Sequence, residues 1–318
     1  MTYMGIYKID HIIKQLRLKK HFSQKQLAEG ICSSEYISKI ENGSKTPSPE
    51  MASKLLHKLG VNPYMFFTNL STADNDLYNE HCFEIERLLS ASKYDTARIY
   101  IKSLEKNYSF YASGDPKQYL MGKQAHILVN LDGEFDKAYE LAFQSILLTK
   151  TDFSLERIND YDFFSVNELW SMLYMATAFY WKQKHFLTDE DLSPAINLMS
   201  TILSHLNRGY HHPSLIGTLY ASSIFYQSRF LYSANRTKEA CQVTDQGLQF
   251  ITSHYNQLIE LLGKIMINKA ACSYAEHQTA EKEHFYEIGK ALLLLANNEE
   301  TVHRYLDLDY DMLLQAIK

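Results

Sequence analysis

The sequence predicts an all-α protein, and three observations carry that prediction. Only 12 Gly and 6 Pro punctuate 318 residues, too sparse for the turn density of a sandwich or barrel. The apolar residues recur at helical spacing over long stretches separated by short polar loops. Hydrophobic residues make up 46% of the chain, enough for a sizeable core in one large or two unequal folded units.

The first helix is read from Ile9, Ile12, Ile13 and Leu16, which share one face while Lys14, Arg17, Lys19 and Lys20 lie mostly on the other. Ser23 heads a second helix, and Gln26 three residues on completes a capping-box pattern, with Leu27 and Ala28 on its buried side. After the turn EGIC, either Ser33 or Ser34 caps a third helix. Ile37 and Ile40 point inward there, and Glu35, Tyr36, Ser38 and Lys39 face out. Asn42-Gly43 stops it, because Gly accepts the left-handed conformation that closes a helix. Ser48 and Pro49 open a fourth helix that runs to Leu59-Gly60, and NPYMFF, residues 62–67, begins a short fifth. Helix, tight turn, helix, with polar residues gathered at the start of the second, is the geometry that fits an exposed helix into a DNA major groove.

Charge separates this head from the rest. Residues 1–70 hold ten Lys/Arg and five Asp/Glu, which leaves 22 and 32 for the remainder. A basic head on an acidic body expects a polyanion at the head alone.

The head also resembles a family. SQKQLAEGICSSEYISKIENG followed by PSPEMASKLLHKLGV is similar to the helix-turn-helix of phage-repressor-like transcription regulators, over about residues 6–67. The resemblance implies that Arg17 and Glu41 form a structural ion pair tying the first helix to the third. It further implies that Gln24 touches a phosphate, that Ser34, Glu35 and Lys39 make base-edge contacts, and that Tyr36, Asn42 and Lys45 flank them on the DNA backbone. The turn EGICSS is one residue shorter than in the best-known phage repressors, enough to rotate the start of the recognition helix. For Glu35 a second role stands beside base contact, since a carboxylate also favours the positive end of a helix.

Beyond the polar stretch NLSTADND, read as a linker at 71–76, a fragment recurs: KYDTA at 93–97, EFDKA at 134–138, DLSPA at 191–195 and RTKEA at 236–240. Each is expected to open a helix, and the terminal alanines mimic the second helix of a tetratricopeptide repeat at longer, less regular intervals. Partner helices are expected at 118–131, 166–185, 215–235 and 257–277, and EKEHFYEIGKALLLL closes the array. Residues 77–318 are thus predicted to form a tetratricopeptide-like α-solenoid, whose stacked pairs leave an inner face suited to an extended peptide. The phasing turns Lys123, Asn130, Phe225, Arg229, Tyr232 and Asn268 toward that face, although each alone also fits a solvated helix position.

Cys32, Cys82, Cys241 and Cys272 are far apart, with no CxxC pair and no His at ligand spacing, so free thiols are expected and no metal or cofactor. No apolar run reaches membrane-span length and the start lacks a signal-peptide core, which leads to the expectation of a cytoplasmic protein. There is no P-loop, no HExxH and no Gly-rich nucleotide turn, so no enzyme is expected.

The order of parts, a repressor-like head and irregular helical repeats, resembles the Rgg/PlcR/PrgX group of peptide-pheromone-responsive regulators of Gram-positive bacteria. That resemblance implies quorum sensing: a homodimer on an inverted-repeat operator in double-stranded DNA, controlled by a short signalling oligopeptide held in the repeats. The alternative is a constitutive or phage-type repressor whose repeats serve only dimerisation or protein docking.

Overall fold

Ser23, Ser33 and Ser48 each accept a hydrogen bond from the backbone N–H three residues on, and each stands immediately before a helix. The computed structural model describes residues 9–60, 72–186, 191–208, 213–254, 258–275 and 279–296, together with Val302 and Leu306. Fourteen α-helices and no strand are found among them. The head contains α1 (Ile9–Lys19), α2 (Gln24–Ala28), α3 (Ser34–Glu41) and α4 (Pro49–Lys58). In α2 the capping box is complete, since Gln26 returns a bond to the Ser23 N–H. Of the two serines before α3, Ser33 is the cap: its backbone is extended, which leaves Ser34 as the first helical residue. Gly43 closes α3 at φ +74°, where a side chain would be strained. The short fifth helix read at 62–67 lies outside the described residues.

Ile12, Ile13, Leu16, Leu27, Ile37, Ile40, Leu55, Leu56 and Leu59 are shielded from solvent and make the core of the head. This matches the apolar spacing read from the sequence, because helices this short stand only by burying one face against one another.

The remaining helices are α5 (Thr72–Ser90), α6 (Tyr94–Asn107), α7 (Gly114–Ile127), α8 (Phe135–Leu147), α9 (Val166–Phe186), α10 (Ser193–Asn207), α11 (Pro213–Ser233), α12 (Thr237–His254), α13 (Ile259–Ala275) and α14 (Thr279–Ala296). A π-helical turn, Leu128–Asp132, prolongs α7. The four recurring fragments open α6, α8, α10 and α12. Helix α5 starts at Thr72, inside the polar stretch read as a linker. The fold is all-α, a helix-turn-helix domain followed by tetratricopeptide-like helical repeats.

The chain forms two compact units. The first comprises Met1–Lys123, Gln144–Leu169 and Ser204–Ile216, so the head packs together with pieces that are distant in sequence. Phe163, in the loop between α8 and α9, is 3% exposed and belongs to the same apolar cluster as the head core. Lys19 pairs with Asp162, and His11 Nε2 lies 2.9 Å from the Arg208 carbonyl. A buried polar web holds the ends of the α8–α9 loop. Gln118 donates to the Ser145 carbonyl and to Thr149 Oγ1, both at 2.8 Å, and the Thr149 hydroxyl donates to Glu168 Oε1 at 2.6 Å. Ser165 and Glu168 exchange bonds at the start of α9.

The second unit comprises Gln124–Phe143, Trp170–Leu203 and Gly217–Lys318. In it α13 packs against α14 and α12. The approach to α14 depends on Gly263 and Gly289, since a Cβ on Gly289 would stand 2.9 Å from both the Gly263 carbonyl and Ile267 Cδ1.

Candidate functional site

The outer face of α3 is set by its inner one. With Ile37 and Ile40 buried, the 3.6-residue period leaves Glu35 and Lys39 exposed one turn apart, with Ser34, Tyr36 and Ser38 half-buried beside them. Asn42, Ser44 and Lys45 continue the exposed surface past the helix end. Asn42 Oδ1 accepts the Ser44 N–H at 3.0 Å, which shapes this turn. Lys45 Nζ stands 4.6 Å from the centre of the Tyr36 ring, so the cation is carried on the aromatic face. The Glu35 carboxylate is held below its ordinary range by its own backbone N–H first and then by Ser33, with Ser34 and Lys39 adding to the effect.

Behind this face Arg17 grips Glu41 with two bonds, Nε to Oε1 at 2.6 Å and Nη2 to Oε2 at 2.8 Å. Arg17 Nη1 also donates to the Phe22 carbonyl at 2.7 Å, and Gln24 Nε2 donates to Glu41 Oε2 at 2.9 Å. Burial alone would push Glu41 up; the bonds from Arg17 and Gln24, with the charges of Arg17 and Lys14, bring it below its ordinary value. One carboxylate thus ties α1, the start of α2 and the end of α3. Gln24, read as a phosphate contact, commits one of its two amide N–H donors to this network.

In the second unit Arg229, Tyr232 and Asn268 line one crevice among α11, α12 and α13, and Phe225 adjoins it through Arg229 and Asn268. Each is buried, at 2%, 4%, 4% and 5% exposed. The Arg229 guanidinium lies 5.3 Å from the Phe225 ring centre. Asn268 Nδ2 donates to the Phe225 carbonyl at 3.2 Å and to Ser228 Oγ at 2.6 Å, and the Tyr232 hydroxyl donates to the Ala271 carbonyl at 3.2 Å. The crevice that Arg229, Tyr232 and Asn268 line has no room for a water-sized guest. Asn268 Oδ1 is buried there with no hydrogen-bond partner among the described residues. Ser228, Thr244 and Cys272 also line it. The sequence reading missed them because a small polar residue at a helix–helix contact has no periodic signature, and Thr244 sits on a second helix of a pair.

Asn130 and Lys123 are placed differently. Asn130 is exposed in the π-helical turn, where its amide donates to the His126 carbonyl at 2.8 Å. Lys123 belongs to the first unit, buried, with Nζ 2.6 Å from Glu86 Oε1.

None of Cys32, Cys82, Cys241 and Cys272 is in a disulfide. Burial pushes Cys82 up to about 12, which makes it a poor nucleophile. Among the described residues no helix is long and apolar enough to cross a membrane, and no group of three or more His, Cys, Asp or Glu is placed to hold a metal ion.

Residues 13–66 match the family model described as Helix-turn-helix. The head is a helix-turn-helix domain. No curated protein matches the chain. Among solved structures, the chain is similar to Bacillus thuringiensis PlcR in complex with the peptide PapR7 and DNA, at 16% identity over 94% of this chain and 98% of that one, with a TM-score of 0.58. It is also similar to ComR from S. thermophilus in complex with DNA and its signalling peptide ComS, at 14% identity over 96% and 99%, with a TM-score of 0.53. A third is the competence regulator ComR from Streptococcus vestibularis in complex with its cognate signalling peptide XIP, at 14% identity over 95% and 98%, with a TM-score of 0.51. At these identities the likeness is one of fold. It runs from the helix-turn-helix head through the repeats.

Proposed function

We propose that this chain is a DNA-binding transcription regulator whose repeat domain binds a short signalling oligopeptide that modulates operator binding. One observation carries the reading. A helix-turn-helix head and a repeat body are combined along nearly the whole chain in the same fold as PlcR, solved with PapR7 and DNA, and ComR, solved with ComS and DNA. Residues 1–70 are the DNA-binding head, 77–318 the peptide-binding and dimerising body, and 71–76 the joint, helical from Thr72. The protein acts in the cytoplasm as a homodimer on an inverted repeat, because one short recognition helix reads too few bases to find a site in a genome. It catalyses no reaction.

Within the head, Ser34, Glu35 and Lys39 meet base edges, while Gln24, Tyr36, Asn42 and Lys45 meet the phosphate backbone. Lys39 and Glu35 are supported for this role by their exposure on the outward face of α3. In the body, Phe225, Arg229, Tyr232 and Asn268 form the central part of the peptide site. The open acceptor Asn268 Oδ1 suits a backbone N–H of a peptide.

A second reading has one observation in its favour: Tyr232 and Asn268 are bonded to neighbouring backbone carbonyls and to Ser228, and the crevice leaves no space. In that reading the body only dimerises or docks another protein and the head binds DNA constitutively. The test is selection of sites from a randomised duplex library with the full chain, followed by thermal-shift and binding measurements with pooled hydrophobic oligopeptides. Enrichment of an inverted repeat and a peptide-dependent rise in unfolding temperature are expected. An inverted repeat with no response to any peptide pool moves the conclusion to the constitutive regulator, and no enriched site removes both.

A further inference from the structure

We infer that Asp162 and Phe163 are positioning residues for DNA reading: they form a clasp that fixes the direction in which the head presents α3. The inference rests on the DNA-binding reading above and adds residues outside the helix-turn-helix to it.

Two kinds of contact make the clasp. Phe163 is 3% exposed and sits in one apolar cluster with the core of the head, although some 100 residues of chain separate it from α4. Beside it Asp162 pairs with Lys19 of α1, and the Asp162 carbonyl accepts from Arg208 Nη1 at 3.1 Å. The Arg208 carbonyl in turn faces His11 Nε2 of α1 at 2.9 Å. Both of these anchors on the head side, Lys19 and His11, are on α1, the helix that Arg17 ties to the end of α3. The exposed residues of α3 take no part in these bonds, so the clasp orients the reading face without covering it.

The clasp is stiff at its root. Tyr161 and Phe164 flank it, their rings 5.5 Å apart, and Phe164 meets the His205 ring at 4.8 Å. The web of Gln118, Thr149 and Glu168 secures both ends of the loop. An ion pair as exposed as Lys19 with Asp162, at 57% and 32%, holds little by itself. The buried Phe163 ring supplies the grip, and the ion pair sets its register. A head held at one angle in each protomer of a dimer accepts one half-site spacing; a head on a loose joint accepts several.

The experiment is selection from a randomised duplex library with the full-length parent, Phe163→Ala, Phe163→Leu and Asp162→Lys, reading half-site sequence and half-site spacing separately. All four proteins are expected to enrich the same half-site. The parent and Phe163→Leu should keep one spacing. Phe163→Ala and Asp162→Lys should spread over several spacings and lose at least about fivefold in affinity at the parent spacing. An unchanged single spacing in both Phe163→Ala and Asp162→Lys overturns the inference. A changed half-site sequence in Phe163→Ala overturns it as well, because Phe163 would then serve only the internal structure of the head. Failure of the parent to enrich any repeated site removes the DNA-binding reading itself, an outcome that is visible before any variant is compared. Asp162→Lys changes a half-buried residue outside the apolar core and keeps the test open if Phe163→Ala does not fold.

Discussion

Arg17 and Glu41 form a two-pronged ion pair across 24 residues of sequence, at 2.6 and 2.8 Å, with side chains only 10% and 3% exposed. The planar guanidinium matches the carboxylate, so the pair fixes both distance and angle between α1 and the end of α3. Removing one partner strands the other in a site with little water. Arg17→Ala is therefore expected to destabilise the protein by about 3 kcal/mol, seen as a lower denaturant midpoint. Loss of less than about 1 kcal/mol would class the pair with surface salt bridges.

The same pair gives a pH dependence of known sign. The folded value of Glu41 lies below its ordinary 4.5, so the unfolded chain binds the proton more tightly than the folded one. The contribution is complete above the ordinary value and is lost as pH falls through the lower folded value. Glu41→Gln should flatten this acid-side fall in an unfolding series taken from pH 6 downward. A parallel curve for parent and variant would assign the acid sensitivity to other carboxylates.

Lys39 is exposed on α3 one turn from Glu35. Lys39→Ala is expected to cost about 1–3 kcal/mol in DNA affinity and to relax preference at one position of each half-site. Affinity of the parent should also fall steeply with salt as counterions are released. An equal loss on every duplex would make Lys39 a phosphate contact.

Asn268 is buried and donates to both the Phe225 carbonyl and Ser228 Oγ. Asn268→Ala removes both bonds and the buried side-chain volume, although Ser228 Oγ still donates to the Phe225 carbonyl at 3.2 Å, so stability should fall by about 1–3 kcal/mol. The response of DNA binding to peptide should weaken in both Asn268→Ala and Arg229→Ala, while peptide-free DNA affinity stays within about 0.5 kcal/mol of the parent. Titrations with peptide and duplex together decide this, and a parental response in both variants would move the peptide site elsewhere.

Gly289→Ala sets two effects against each other. Alanine favours a helix over glycine by roughly 1 kcal/mol, but the new Cβ would stand 2.9 Å from the Gly263 carbonyl. Backbone cannot yield as a flexible side chain does, so a net destabilisation of about 1–3 kcal/mol is expected by thermal or denaturant unfolding. A stabilised variant would mean that α13 and α14 separate at little cost.

These positions divide by the range of the forces that define them. The sequence by itself determined the helical class, the serine caps before α2 and α4, a cap before α3 at either Ser33 or Ser34, the stop at Asn42-Gly43 and the fragments that open α6, α8, α10 and α12. Each rests on hydrogen bonds or side-chain spacing within a few residues, so the local chain carries the whole signal. The outward face of α3 was legible for the same reason: two buried isoleucines set its phase. Only the tertiary structure decided that Gln24 turns its amide to Glu41, that Asn268 and Tyr232 bond neighbouring backbone from buried positions, and that Gly263 faces Gly289. Phe163 is the plainest case, since an aromatic residue in a polar loop carries no mark of the core it will join. The partners of such side chains lie tens to hundreds of residues away, and burial is a property of the packed neighbours rather than of the residue, so no local pattern can announce it.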